Sequence, residues 1–386
     1  LYFGIDGDAD RLAVWVKRAD GTVMEVAPND LGVLYGWMLV NDVLKADYPA
    51  NGEPKMFFID KTQPTTTGLD FLVKYGNALA QKLGKNVRFE LKTTPVGSKH
   101  FADEYQNGSL LIGVEESGHI VIKDFFDDAV GQLHFLLRAL ALSGRSLNDT
   151  IFQAKDEVGR DFGVNLNGWV YERVNPNKNA AFDETFMANF EKGTPDIAFQ
   201  RLADALGERS AGIDKVSMTT VSPDYRTGSV TLTDYVTLRS AGKAPKIKPA
   251  EGMIVSFKNG EWVMIRVSGT EGLVRVYVEA ESKEAVKTSQ KAVVQAFGVE
   301  IKFENAMTST DEDAAYGEVP PAATLEELRG GIDMNAAQGL TASGDAVSLT
   351  FDQAMIANFK RGDFSGITPV IVNIAPVTNL QMLLGN

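Results

Sequence analysis

Residues 108–122 read GSLLIGVEESGHIVI, and this stretch decides the fold. Leu110–Gly113 is a short apolar run without polar alternation, which reads as a buried strand. A polar loop with a glycine at each end follows it, and Ile120–Ile122 returns as a second short strand. Upstream, Lys55–Asp60 and Val87–Leu91 are further strands. Between them, Leu69–Leu83 has helical spacing and stops at Gly84, a C-cap residue. Asn29 or Asp30 starts a helix that runs to about Lys45, and Lys99–Tyr105 is a short helix. Downstream, Asp127–Ser143 is a strong apolar helix ending near Gly144, with Asp127 and Asp128 read as helix-start residues. Strands that alternate with helices specify βαβ units and a mostly parallel sheet.

The rhythm changes past about residue 160. Strands are expected over Lys215–Val221, Ser229–Leu232, Met253–Lys258, Trp262–Val267 and Val274–Glu279, with an amphipathic helix over Lys283–Phe297. The expected class is therefore α/β: a mixed α/β domain over 28–160, then a smaller α+β domain over 161–303. Residues 1–27 hold two strands, Leu1–Ile5 and Leu12–Val16, around a polar loop. Residues 304–386 form a polar, Pro/Ala-rich linker and an unassigned tail containing the apolar run Ile367–Ile374.

Composition narrows the function. Of 386 residues, 44% are apolar and 23% charged, enough for real cores. Lys plus Arg is 38 and Asp plus Glu is 51, a net charge of −13 that argues against nucleic-acid and anionic-membrane partners. There is no cysteine, which removes disulfides, thiolate nucleophiles and Cys-ligated metals. Three histidines, at 100, 119 and 134, argue against a three-His metal site, and His134, in an apolar helix, is expected to be a core residue rather than a ligand. No apolar run approaches the roughly 20 residues of a membrane span. No signal peptide is visible, and a cytoplasmic location is expected. Leu1 enters a strand in mid-stream, so the chain reads as cut at its beginning.

Three loops carry chemistry. Asp6-Gly7-Asp8-Ala9-Asp10-Arg11 alternates carboxylates with small residues, and a tight turn brings them onto one hard cation. The competing readings are an acidic surface turn and a calcium EF-hand loop. The EF-hand fails twice, at Arg11 where it needs Gly and at Lys17 where it needs Glu. Arg11 beside the triad makes sense when an anion such as phosphate arrives between cation and arginine. Gly113–His119 lies at the C-terminal end of a strand, where α/β sheets bind ligands. Its Glu115 and Ser117 match sugar hydroxyls; the competing reading is an ordinary turn. Arg266-Val267-Ser268-Gly269-Thr270-Glu271-Gly272 offers hydroxyls, an exposed glycine backbone and arginine, a phosphate cradle, against a plain hairpin turn. Arg275 on the next strand lines that cradle or forms a surface pair. Lys99, in Thr93–His100, reaches a phosphate or is a solvated lysine.

Together these loops, in this order and spacing, resemble the α-D-phosphohexomutase family, which includes phosphoglucomutase and phosphomannomutase. The resemblance covers roughly residues 1–300. It implies a Mg²⁺ held by Asp6, Asp8 and Asp10, with Arg11 as a catalytic residue near the phosphoryl group. It implies that Glu115 and Ser117, with His119 in the same loop, hold the sugar. It also implies that Arg266, Ser268, Gly269 and Thr270 hold the phosphate that is not transferred, and that Lys99 fits a TPVG-x-K element. Its substrates are hexose phosphates such as glucose or mannose 1- or 6-phosphate, passing through a hexose bisphosphate. Residues 1–27 correspond to the end of the family's second domain, followed by the third and the fourth. Val114, Val267 and Gly272 depart from the family pattern without removing a functional group.

In the family a phosphoserine in a T-A-S-H-N-P loop, upstream of the metal loop, carries the phosphoryl group. No such segment occurs here; Thr341-Ala342-Ser343 matches three letters on the wrong side of the metal loop. The expectation is a mutase whose serine domain is missing from this chain, inactive on its own. The alternatives are a non-catalytic sugar-phosphate-binding relative and a metal-dependent phosphatase with Asp6 as nucleophile.

Overall fold

The computed structural model describes residues 2–17, 23–48, 52–219, 229–240, 252–268, 272–301, 307–308, 340–343 and 346–349. Strands β1 (Tyr2–Ile5), β2 (Leu12–Lys17) and β3 (Val23–Glu25) form an antiparallel meander. Ile5 pairs with Leu12, so the six residues between them are forced into one tight turn.

The α/β unit follows. Helix α1 (Pro28–Lys45) starts with proline in its first turn, where the missing N–H costs nothing. Strands β4 (Lys55–Thr62), β5 (Val87–Thr94) and β6 (Leu110–Val114) are parallel in the order β5-β4-β6, and β7 (Ile120–Ile122) adds an antiparallel edge. Helix α2 (Gly68–Lys82) makes the β4–β5 crossover. Helices α1 and α2 pack on one face of the sheet, where Gly36 of α1 meets Leu72 and Ile112, and Gly76 of α2 meets Phe89. A 3₁₀ turn over Ser98–Phe101 and helix α3 (Ala102–Gln106) cover the other face. Gly113 is needed there, because a Cβ would come within 2.6 Å of the Phe101 ring. Helices α4 (Ala129–Ser143) and α5 (Leu147–Arg160) close the unit around a core that includes Leu34, Ile59, Leu72, Phe89, Ile112 and Leu136.

Helix α5 is absent from the sequence reading. Ser146 caps it, and Thr150, Ile151, Ala154 and Val158 make its buried stripe, but exposed Phe152 and five interspersed charges blur the pattern. The helix read from Asp127 begins instead at Ala129: Asp128 is its N-cap, accepting from the Val130 and Gly131 N–H groups, and His134, expected in the core, is exposed on the outer side of the helix.

The second unit is one antiparallel sheet of seven strands. Its order is β10 (Ser229–Thr231), β9 (Ile213–Thr219), β11 (Gly252–Phe257), β12 (Trp262–Val267), β13 (Val274–Ala280), β8 (Val170–Val174) and β14 (Met307–Thr308). Strands β8 and β14 are additions to the sequence reading. The strand expected to include Leu232 ends at Thr231, and Leu232 opens helix α9 (Leu232–Ser240). Helical segments α6 (Ala180–Phe182) and α7 (Ala188–Lys192), joined by a π-helical turn, lead to α8 (Pro195–Leu206); α10 (Lys283–Phe297) completes the layer. Phe182, Phe186, Phe190 and Phe297 interlock beneath the sheet.

Period-2 alternation then divides the strands between two faces. Val170, Val174, Val263, Ile265, Val276 and Val278 face the helices. Tyr171, Arg173, Trp262, Arg266, Arg275, Tyr277 and Glu279 fall on the opposite face, toward the α/β unit. In the tail, β15 (Leu340–Ser343) and β16 (Ala346–Leu349) form a hairpin that contains Thr341–Ser343. The run Ile367–Ile374 lies outside the described residues. Among the described residues, no helix is long and apolar enough to cross a membrane.

Candidate functional site

The metal loop is folded by its own first carboxylate. Asp6 Oδ1 accepts from the N–H groups of Asp10 (3.2 Å) and Arg11 (3.1 Å), and Ala9 sits at φ +60° to complete the turn. Carboxylate oxygens of Asp6, Asp8 and Asp10 come within 4.8 Å of one another. Arg11 Nε donates to Asp6 Oδ2 at 2.5 Å and approaches Asp10 Oδ1 at 3.5 Å. Burial raises the Asp6 pKa, but the backbone and side-chain hydrogen bonds from Arg11 outweigh it and hold the carboxyl below its usual range. Burial, opposed by His119 and reinforced by Asp6 and Asp8, pushes Asp10 up. Asp10 Oδ1 is buried without a hydrogen-bond partner. Crowded hard oxygens, one of them turned inward and unsatisfied, fit a small divalent cation such as Mg²⁺.

The Asp6–Arg11 turn, the expected metal loop, docks directly on Gly113–His119, the expected sugar loop. Arg11 and His119 form an isolated antiparallel bridge, and His119 Nδ1 lies 3.3 Å from Asp10 Oδ2. The neighbouring Asp127 carboxylate raises the His119 pKa, with Asp10 and Glu115 adding to it and burial opposing. The sugar loop itself is a closed turn: Glu115 N–H donates to the His119 carbonyl, and Gly118, at φ +101°, donates back to the Glu115 carbonyl. Glu115 Oε1 accepts from Ser117 Oγ (2.9 Å) and Oε2 from Gly97 N–H (3.0 Å). Glu115 therefore fixes the 97–100 turn, from which Lys99 projects, exposed. The Glu115 and Ser117 side chains converge and turn toward the same turn as Lys99.

On the second unit, Arg266 and Arg275 face each other across β12 and β13. Arg266 Nε and Nη2 each lie 3.4 Å from the Tyr277 hydroxyl, and Arg275 Nη2 donates to buried Ser268 Oγ at 3.4 Å. Ser268 N–H donates to the Leu273 carbonyl, closing the loop at its base. Gly269 and Thr270 lie outside the described residues.

Glu116 and Glu279, to which the sequence reading gave no role, connect the two units. Glu116, beside Glu115 but pointing the other way, is buried 3.5 Å from Thr62 Oγ1 and 3.9 Å from Arg173 Nη1. Burial, with Glu115 adding, raises its pKa against the pull of Arg173 and Arg266. Glu279 reaches from β13 to the start of α2. Asp127, at φ +44°, joins Ser98 to the His119 side. Only the two-acid sequence Glu115-Glu116, and likewise Asp127-Asp128, hinted at a second role, since one member of each pair must point away from the other.

A mixed α/β unit with a carboxylate turn and a hydroxyl-bearing strand-end loop, followed by an antiparallel unit with an arginine-serine loop, is a phosphohexomutase-type arrangement. Residues 75–156 match the family model for phosphoglucomutase/phosphomannomutase, alpha/beta/alpha domain III, and residues 229–296 match that for the C-terminal domain. The α/β unit and the antiparallel unit are thus similar to two domains of the phosphoglucomutase/phosphomannomutase family of α-D-phosphohexomutases. The chain is 22% identical to phosphoacetylglucosamine mutase of Candida albicans over 297 residues, 76% of this chain and 47% of that protein. It is 23% identical to a phosphoglucomutase of Staphylococcus epidermidis over 287 residues, 72% of this chain and 44% of that one. A crystal structure of a putative phosphomannomutase from Thermus thermophilus aligns with a TM-score of 0.41 at 22% identity, covering 76% of this chain and 44% of that one. The chain thus spans less than half the length of these relatives.

Proposed function

We propose that this chain supplies the metal, sugar and phosphate loops of a phosphosugar mutase acting on a hexose phosphate. In this reading a phosphoryl group passes from a phosphoserine to a free sugar hydroxyl, giving a bisphosphate. The bisphosphate turns over, and its other phosphoryl group returns to the serine. The carrier serine, whose T-A-S-H-N-P loop is not among these 386 residues, belongs to a segment other than this one. Asp6, Asp8 and Asp10 would hold a Mg²⁺, which would supply charge neutralisation for phosphoryl transfer. Arg11 lies beside the triad for the phosphoryl oxygens once an anion draws it from Asp6. Glu115, Ser117 and His119 bind the sugar, and Lys99 orients it. Arg266, Ser268, Gly269, Thr270 and Arg275 hold the phosphate that stays. The observation that carries the reading is the direct union of metal loop and sugar loop through Asp10, Arg11 and His119.

Two binding measurements test it. Titration calorimetry with Mg²⁺ is expected to show at least about tenfold weaker binding for Asp8→Asn, because ligand charge sets affinity for hard cations. Asp8 is exposed in the turn, so the variant keeps its fold. A charge-assisted hydrogen bond contributes about 1.5–3 kcal/mol. Arg266→Ala is therefore expected to weaken glucose 1-phosphate binding at least about tenfold and to leave free glucose unaffected. Equal losses for both ligands, or no loss for either, would sink the assignment.

A further inference from the structure

Asp127 stands where three loops meet, and helix capping does not account for it. The cap of α4 is Asp128, which takes the Val130 and Gly131 N–H groups through one oxygen. Asp127, one residue earlier, holds φ at +44°, a left-handed conformation uncommon outside glycine and tolerated best by Asn and Asp. Among the described residues only Ala9, in the metal loop, shares that property outside glycine. Glycine would take this backbone without steric cost, so the position does not require a carboxylate for its conformation alone.

That side chain spans two loops. Asp127 Oδ2 accepts from Ser98 Oγ at 2.9 Å, in the turn that carries Lys99. Oδ1 is buried without a hydrogen-bond partner and lies 3.9 Å from His119 Nδ1, whose other neighbour is Asp10 Oδ2 at 3.3 Å. The metal loop reaches the same spot from below: Ala129 N–H donates to the Ala9 carbonyl at 2.9 Å, and Gln132 Nε2 to the Asp10 carbonyl at 3.3 Å.

We infer that Asp127 is a positioning residue that pins the Lys99 turn to His119 and so sets the sugar-binding side of the site against the metal loop. The inference rests on the proposed sugar-phosphate function. It predicts that the carboxylate serves ligand binding rather than its own backbone conformation.

The test pairs Asp127→Gly with Asp127→Asn. Glycine takes the left-handed φ without steric cost and deletes both contacts; asparagine tolerates the left-handed region and keeps an acceptor for Ser98. Asp127→Gly is expected to melt at or above the wild-type temperature and to bind glucose 1-phosphate about tenfold more weakly. Asp127→Asn is expected to lose less than about threefold. Hydrogen–deuterium exchange is expected to rise in Asp127→Gly over residues 95–101 and 115–119 and nowhere else. That readout needs no ligand. Unchanged exchange, or a lowered melting temperature with exchange rising throughout the chain, would overturn the positioning role. If the wild-type chain binds no glucose 1-phosphate, the proposed function fails, while the exchange experiment still decides the role of Asp127.

Discussion

Glu279→Ala is expected to lower the stability of the chain by about 3 kcal/mol, from the loss of several charge-assisted bonds to buried donors. The carboxylate is 3% exposed and saturated with donors. Its Oε1 accepts from Thr66 Oγ1 at 2.5 Å, and its Oε2 from Thr67 N–H at 2.6 Å and Trp262 Nε1 at 2.8 Å. Two of these donors belong to the α/β unit and one to the antiparallel sheet. Helix α2 has no side-chain cap of its own at Thr67, so Glu279 supplies both the missing acceptor and a negative charge at the positive end of the helix dipole. Alanine leaves an amide, a hydroxyl and an indole N–H buried and unpaired. Glutamine keeps the shape and one acceptor, and is expected to cost about half as much.

Differential scanning calorimetry checks this. For units of this size, 1 kcal/mol corresponds to roughly 2–4 °C, so a shift of roughly 6–12 °C is expected for alanine. The wild-type endotherm is expected to split as well, because the two units then lose the contact that couples their unfolding. A shift under about 2 °C in a single endotherm would show that the interface is held by something else. The same contact bears on the site. Glu279, the Glu116–Arg173 pair and the Thr67 Oγ1 hydrogen bond to the Gly260 carbonyl are polar links between the unit that carries the arginine-serine loop and the unit that carries Glu115 and Ser117.

The parts of this molecule that were legible in the sequence are those written locally. Apolar runs marked β4, β5, β6, β12 and β13, because each is short, buried and bounded by turn residues. Gly84 and Gly144 marked helix ends. The three loops stood out because their chemistry is compressed into six or seven consecutive residues. Illegible were features whose cause lies far away in the chain. Glu279 meets its partner 213 residues upstream. Glu116 meets Thr62 across 54 residues. Asp127 reaches Ser98 across 29. No local pattern distinguishes such an acid from a solvated one. Helix α5 was hidden for a different reason: it packs on α1 and α2 rather than on the sheet, so a narrow apolar stripe suffices.

Asp60→Asn is expected to stabilise the chain at pH 8 by on the order of 2 kcal/mol and to change little at pH 4.5. Asp60 lies on β4, fully buried, with neither carboxylate oxygen hydrogen-bonded. Its register partners are Lys92 on β5 and Gly113 on β6. The lysine is already taken, donating to Glu104 Oε1 of α3 at 2.6 Å. Burial, then repulsion from Glu104, outweigh the pull of Lys92 and push the Asp60 pKa up to about 8, from an ordinary 3.8. In the unfolded chain the group releases its proton near pH 4; in the folded chain it keeps the proton until about pH 8. Across that window the folded state binds more protons, so stability falls as pH rises and levels off above pH 8. A full shift of this size converts at 1.36 kcal/mol per unit, to about 5 kcal/mol, and relaxation around a buried charge reduces it to the smaller figure. Asparagine has the same shape and no proton to lose, so its stability lacks this slope. Urea denaturation of both proteins at pH 4.5, 6 and 8 reads the difference between them. The difference isolates Asp60 from Glu25, whose burial also raises its pKa, to about 7, because Glu25 is present in both. A gap that widens steadily from pH 4.5 to 8 is the expected result. Parallel curves would mean that Asp60 is ionised within the sheet at every pH and that Lys92 is shared between both carboxylates.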